Sequence, residues 1–346
     1  MFVKIYLKLN IYSLVMSTLQ KTESKNIQTT VSKNRLKEII RTYTSPNTKR
    51  GFNSDVKNFL AWAQVTYLQE IEFTQEVIIN YIIQAFEGFP KDIEQILLER
   101  GVKRQPGPIK VTTIEKRLRN FGIFLELNGR PNPVKTPEVR MLIRRLRQNF
   151  HVGRKKNPIT REILDQIIEH KFKPNEKNIR DRAILLFGWG SGGRRSHEIC
   201  DVKYENFELQ PNGNYICTLE KTKTGRNMRV PVGGRAAKAI KDWIAIRGTK
   251  PGYMFFQMTC NGELKDRKLT QDGLRNIINK RIAAIGLDPE YYSPISIRSG
   301  FITEAGRQNM PVTEVMQMTT HKTMREMMEY YRHGSMNNNV CVNLVG

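Results

Sequence analysis

From about residue 45 onward the apolar positions repeat with the period of a helix. In SPNTKRGFNSDVKNFLAWAQ, Phe52, Val56, Phe59, Leu60 and Ala63 fall at i, i+4, i+7, i+8 and i+11, a single stripe. A second helix is predicted from Thr74, with Ile78, Ile82, Ala85 and Phe86 on its apolar side. A third opens on Thr112 and Glu115, the spacing of a capping box. It runs through Ile114, Leu118, Phe121 and Leu125 to the stop signal NGRPNP at 128–133. A fourth begins at TPEV, with Val139, Leu142, Ile143 and Leu146 on one face and Arg140, Arg144, Arg145 and Arg147 on the other. Together they predict a compact helical domain. Its basic face fits a DNA clamp and, from this segment alone, equally fits a bundle with solvated arginines.

The stretch QNFHVGRKKNP (148–158) is basic and lacks apolar periodicity, which marks a linker. The second half is mixed. ITREILDQIIEH, NIRDRAILLFGWG and RRSHEICDV read as helices. NYICTLEKTKTGRNMRVPV then alternates Tyr215, Cys217 and Leu219, turns at Thr-Gly-Arg-Asn and returns, which predicts a hairpin. Helices resume in GRAAKAIKDWIAIRG, TQDGLRNIINKRIAAIG, SPISIRSGFITEAGR, PVTEVMQMT and KTMREMMEYYRH. The tail SMNNNVCVNLVG carries Val340, Val342, Leu344 and Val345, either for packing on a neighbour or as a frayed end.

Charge changes this picture most. Lys and Arg number 57 against 33 Asp and Glu, a net +24 with pI near 10.0. An excess of that size, spread along the chain, draws in polyanions and points to nucleic acid. The first sixteen residues, MFVKIYLKLNIYSLVM, hold Lys4 and Lys8 and are too short and interrupted to span a membrane. They also lack the small-residue cleavage site of a signal peptide, and translation from Met16 is the plainer expectation. Cys200, Cys217, Cys260 and Cys341 are scattered, without a CxxC pair, so reduced thiols, an intracellular protein and no structural zinc are expected.

Other chemistries find weak support. Gly188-Trp189-Gly190-Ser191-Gly192-Gly193 satisfies G-x-G-x-x-G, but RDRAILLF before it has helical charge spacing where a dinucleotide site needs a strand. His197-Glu198 is not H-E-x-x-H, since residue 201 is Asp. Neither a serine elbow nor an acidic trio appears. Breaking a phosphodiester without metal needs a nucleophile, cations for the non-bridging oxygens and an acid for the leaving oxygen. Arginine suits the second task, lysine or histidine the third, and tyrosine can keep the phosphate as an ester. All occur here in order. Arg195 follows a glycine turn in GGRRSHEI, three residues before Glu198, and Lys223 sits at the hairpin tip. Arg298 lies in SPISIRSGF. His321 lies in TTHKTMREMMEYYR at a predicted helix start, and Tyr330 follows nine residues later.

This ordered series resembles the tyrosine recombinases, the phage-type integrases, over about residues 155–333, and more weakly over 45–148. The resemblance implies a mainly α fold with a small antiparallel β-sheet, arranged as a helical core-binding domain and a mixed α/β catalytic domain. The expected limits are 1–30 for a disordered or non-native extension, 31–147 for the DNA clamp, 148–158 for the linker, 159–334 for the catalytic domain and 335–346 for the tail. It implies a site-specific DNA recombinase that cleaves and rejoins double-stranded DNA through a 3′-phosphotyrosyl link, as a homotetramer on DNA. No cofactor, metal, membrane or small-molecule substrate is expected. Arg195 and Arg298 would hold the scissile phosphate, Lys223 would protonate the 5′ oxygen, His321 would assist, and Tyr330 would attack. Three positions depart from the pattern. Ile295 stands where the family has a histidine, with Ser293 or Ser296 as candidate substitutes. Tyr331 adjoins Tyr330, and Thr320 replaces a common glycine. A type IB topoisomerase-like strand transferase and a catalytically weakened DNA-binding homologue are the alternatives.

Overall fold

The structure, a computed structural model, describes residues 42, 44–69, 71–149, 156–170, 173–220, 227–259, 261–321 and 323–336. The extension 1–30, the choice between Met1 and Met16, most of the 148–158 linker, Lys223, Cys260 and most of the 335–346 tail lie outside those residues. The chain divides into two units, Met1–Gly153 and Arg154–Gly346.

In the first unit the described helices are α1 (Pro46–Tyr67), α2 (Gln75–Glu87), α3 (Lys91–Glu99), α4 (Val111–Leu127) and α5 (Pro137–Asn149). Ser45 starts α1 by accepting the Thr48 amide at 3.2 Å, and Pro46 takes the first helical position, where no amide is needed. The apolar stripe turns inward as expected. Phe59 of α1 stacks on Phe121 of α4 with ring centroids 3.9 Å apart, and the Trp62 indole donates to Gln84 of α2 at 2.9 Å. α4 begins after Lys110, without a side-chain cap, so Thr112 and Glu115 lie within the helix instead of framing its start. On α5, Val139 is buried while Arg140, Arg144, Arg145 and Arg147 are exposed. Arg119, Arg140, Arg144 and Arg147 border a groove of about 300 Å³ floored by Leu118, Val134 and Ile143.

The second unit contains α6 (Arg161–Glu169), α7 (Glu176–Gly190), α8 (Ser196–Asp201), α9 (Gly234–Arg247), α10 (Gln271–Ala284), α11 (Pro294–Arg307), α12 (Val312–Thr319) and α13 (Met324–Ser335). β1 (Phe207–Leu209), β2 (Tyr215–Leu219) and β3 (Met228–Val232) form an antiparallel sheet in that order, and β4 (Phe256–Met258) pairs with β5 (Leu264–Lys268). β2 buries Tyr215, Cys217 and Leu219 at alternate positions, and its last pair before the hairpin turn is Leu219 with Met228. The fold is mainly α with small antiparallel sheets.

α7 runs buried from Ala183 to Gly188 beside α9 and α11. Because the run before the glycines is helix, the dinucleotide motif is structural. α11 packs along α13 at backbone distance. A Cβ on Gly334 would strike the Thr303 carbonyl, and one on Gly306 would strike that of Tyr331. Ile302, Ala305, Val315 and Met327 form a small apolar cluster there, with Tyr330 and Tyr331 partly buried against it. No helix among the described residues is long and apolar enough to cross a membrane.

Candidate active site

The site grows from the turn that ends α7. Gly192 and Gly193 have φ of 103° and 68°, the left-handed region that glycine enters without a Cβ penalty. A Cβ on Gly193 would lie 2.6 Å from Arg298 Cα, so the turn rests directly on α11. Arg298 returns the contact, its Nη1 donating to the Gly193 carbonyl at 3.0 Å. The turn then delivers Arg195 as the residue preceding α8. Glu198, one helical turn on, accepts both the Arg195 amide and its Nη1 at 3.0 Å each. The three-residue spacing therefore couples a carboxylate to an arginine at the helix start. Burial works against ionisation of Glu198, but the Arg195 amide and the guanidinium charges of Arg194 and Arg195 hold its carboxyl below the usual range. The Glu198 side chain is 3% exposed and that of Arg195 26%, which leaves Arg195 the open partner.

Arg298 is 3% exposed. Besides Gly193, it donates to the Thr319 carbonyl at the end of α12 and, through Nε, to His321 Nε2 at 3.3 Å. Burial, then the charges of Arg195 and Arg194, push its pKa down to about 9, which keeps it cationic at neutral pH. His321 does not stand at a helix start as predicted. It lies in the connection between α12 and α13, after Thr320 has turned the chain with φ 63° and ψ 30°. The Thr319 hydroxyl donates to the Val315 carbonyl at 2.7 Å, so it accepts from His321 Nδ1 at 2.8 Å. That assigns the imidazole proton to Nδ1 and leaves Nε2 to accept from Arg298. Burial first, then Arg298, Arg195 and Arg194, push the His321 pKa down to about 4, so the ring is neutral at physiological pH.

Tyr330 sits on the middle of α13, half-buried against the small cluster. From the same helix Glu326 adds a favourable charge to Arg298. Tyr331 is committed elsewhere, its hydroxyl donating to the Met310 carbonyl at 2.6 Å. The described geometry thus brings Arg195, Arg298 and His321 together beside the helix of Tyr330, while Lys223 lies outside the described residues. Ile295 is 50% exposed, and Ser296, one suggested substitute, is buried and caps α11 by accepting the Ser293 amide at 3.0 Å. Two residues escaped the sequence reading. Glu198 appeared only as a spacing marker, and Arg194, fully buried, is a third cation of the cluster. Its one sequence signal is the arginine pair directly after two glycines. Such a patch, two guanidiniums with an imidazole ordering one of them, fits a tetrahedral oxyanion. Among the described residues no three His, Cys, Asp or Glu side chains gather as a metal-binding group.

Comparison with known proteins gives one consistent answer. The model of the phage integrase family matches residues 158–338. An integrase/recombinase xerD homolog of Selenomonas ruminantium is 25% identical over 300 residues, 84% of this chain and 82% of that protein. The tyrosine recombinase XerC of Thermodesulfovibrio yellowstonii is 23% identical, covering 81% and 83%. In fold, the chain is similar to the Tn1549 transposon integrase in complex with circular intermediate DNA, with TM-score 0.57, 15% identity and coverage of 85% and 92%. It is also similar to a lambda integrase dimer bound to a core site, with TM-score 0.55, 12% identity and coverage of 87% and 94%.

Proposed function

The chain belongs to the phage integrase family, and from that premise we propose that it is a site-specific tyrosine recombinase in which Tyr330 forms a 3′-phosphotyrosyl bond with DNA. In this reading the Tyr330 hydroxyl releases its proton to solvent as its oxygen attacks phosphorus, the DNA 5′ oxygen leaves, and the new ester preserves the bond energy for rejoining. Arg195 and Arg298 bind the non-bridging oxygens and match the charge that develops on them. Lys223 supplies the proton to the 5′ oxygen. His321, neutral at working pH, accepts from Arg298 and so positions that guanidinium on the phosphate. The groove of the helical unit, bordered by Arg119, Arg140, Arg144 and Arg147, takes the DNA backbone as a clamp. Exchange between two duplexes breaks four strands, and one nucleophile per chain makes a homotetramer the working assembly.

The observation that carries this reading is the convergence of Arg195, Arg298 and His321, from three separate segments, on one patch beside the helix of Tyr330. A nicked suicide duplex, from which the 5′ product escapes, traps the adduct. Wild type is expected to become covalently attached to DNA, Tyr330→Phe to lose attachment, and Tyr331→Phe to keep it. An adduct that survives Tyr330→Phe would move the nucleophile elsewhere, and no wild-type adduct would sink the enzyme reading. Relaxation of a plasmid without joining of two sites would favour the topoisomerase-like alternative.

A further inference from the structure

Two residues flanking the proposed site are energetically odd, and both act on the same pair of segments. Arg194 has no exposed surface, a rare placement for arginine. Its Nη2 donates to the Gly192 carbonyl at 3.0 Å and to the Met318 carbonyl in the last turn of α12. Its Nη1 stands 3.9 Å from Glu198 Oε2, and Nε and Nη1 have no hydrogen-bond partner among the described residues. A leucine could fill such a position without the desolvation cost of a half-matched charge. The geometry is also tight, because a Cβ on Gly192 would collide with both the Met318 carbonyl and the Arg194 fork.

Thr320 is the second oddity. It ends α12 in the left-handed region, at φ 63°, where a β-branched residue is strained and glycine is the usual occupant. What threonine adds there is a hydroxyl, and Arg195 Nη1 reaches it at 3.4 Å. Arg194 thus ties the Gly192–Arg195 turn to Met318, and Arg195 ties it to Thr320. Between those two ties lies Thr319, whose carbonyl receives Arg298 and whose hydroxyl orients His321.

We propose that Arg194 and Thr320 are positioning residues that lock the Met318–His321 segment onto the Gly192–Arg195 turn, so that Arg195, Arg298 and His321 meet the scissile phosphate in one fixed arrangement. The lock rests on the assignment of those three residues to DNA cleavage. It explains why two locally unfavourable residues occur on the same pair of segments. Strain and imperfect burial are retained where they fix the approach of reacting groups.

The test uses the full-length chain, the nicked suicide duplex and a separate measurement of DNA affinity. Thr320→Gly removes strain and hydroxyl together. It is expected to melt no lower than wild type and to bind DNA equally well, yet to form the adduct roughly tenfold more slowly, the scale of one hydrogen bond. Thr320→Ser restores the hydroxyl and should recover the wild-type rate, which a merely structural role for the residue would not require. Arg194→Leu is expected to slow adduct formation as much. The charges facing His321 are those of Arg298, Arg195 and Arg194, all of which favour the neutral ring. Removing Arg194 should therefore move the His321 titration, followed by NMR, to higher pH. Wild-type adduct rates in both Thr320→Gly and a folded Arg194→Leu would overturn the lock, as would an unmoved His321 titration in Arg194→Leu. Where Arg194→Leu fails to fold, the Thr320 pair decides. Absence of an adduct from wild type overturns the assignment of the site instead, and the NMR titration still judges the lock.

Discussion

Ile295 occupies the first turn of α11, three residues before Arg298, and half of it faces solvent. An isobutyl-sized apolar group there offers neither a proton nor a hydrogen bond, and Ser296 is already spent on the helix cap. Ile295→His should therefore speed adduct formation by about a hundredfold, the lower end of what one proton-transfer group contributes, with DNA affinity unchanged. A rate equal to wild type would mean that another group already does this work. Arg195, Arg298, His321 and Tyr330, the other residues proposed for the chemistry, were named from sequence because their order and spacing match the tyrosine recombinase pattern. Arg194 was not. An arginine beside another arginine reads as surface charge, and nothing linear shows that Met318, 124 residues away, turns a carbonyl toward it.

The long amphipathic helices could be read directly, since Ile114, Leu118, Phe121 and Leu125 all bury on α4 at the predicted spacing. α3 was missed because nine residues with only Ile93 and Leu97 buried give too short a period to register. β5 was missed because every residue of LKDRK is exposed and no alternation exists to detect. What sequence could least anticipate is the contact of α11 with α13, where close backbone approach at Gly306 and Gly334 adds to the small apolar cluster. Gly334→Ala would push a methyl into the Thr303 carbonyl, and should cost about 1–3 kcal/mol, typical of overpacking. It should also depress cleavage more than DNA binding, since it displaces the helix of Tyr330. Denaturant unfolding together with the adduct assay checks both effects, and a neutral result would show that the crossing tolerates movement.

Across the whole molecule, the +24 charge sets how DNA is met before any chemistry begins. Neutralising phosphates releases condensed cations, so affinity must fall steeply with salt. If the exposed arginines of α5 and the cations of the second unit touch some six to ten phosphates, binding should weaken by about 10³–10⁵ between 50 and 200 mM salt. Fluorescence anisotropy with a labelled duplex reads the slope. A shallow slope would confine DNA contact to the cleavage site and remove the clamp from the α5 face.

The crowding of Arg194, Arg195 and Arg298 has a practical consequence for handling the protein. Arg298 is opposed by two like charges and relieved by Glu198 and Glu326, so an oxyanion that fits among them binds the native chain and not the unfolded one. Sulfate should then act as a stabilising excipient: at a hundredfold excess over its Kd, such an ion adds about 2.7 kcal/mol. The melting temperature is expected to rise in sulfate over chloride at matched ionic strength, and the gain to shrink in Arg298→Gln. Equal gains in both proteins would assign the effect to bulk exclusion of sulfate from the surface. If the gain is specific, the storage buffer of this recombinase competes with its substrate, and enzyme kept in sulfate would begin an assay already inhibited.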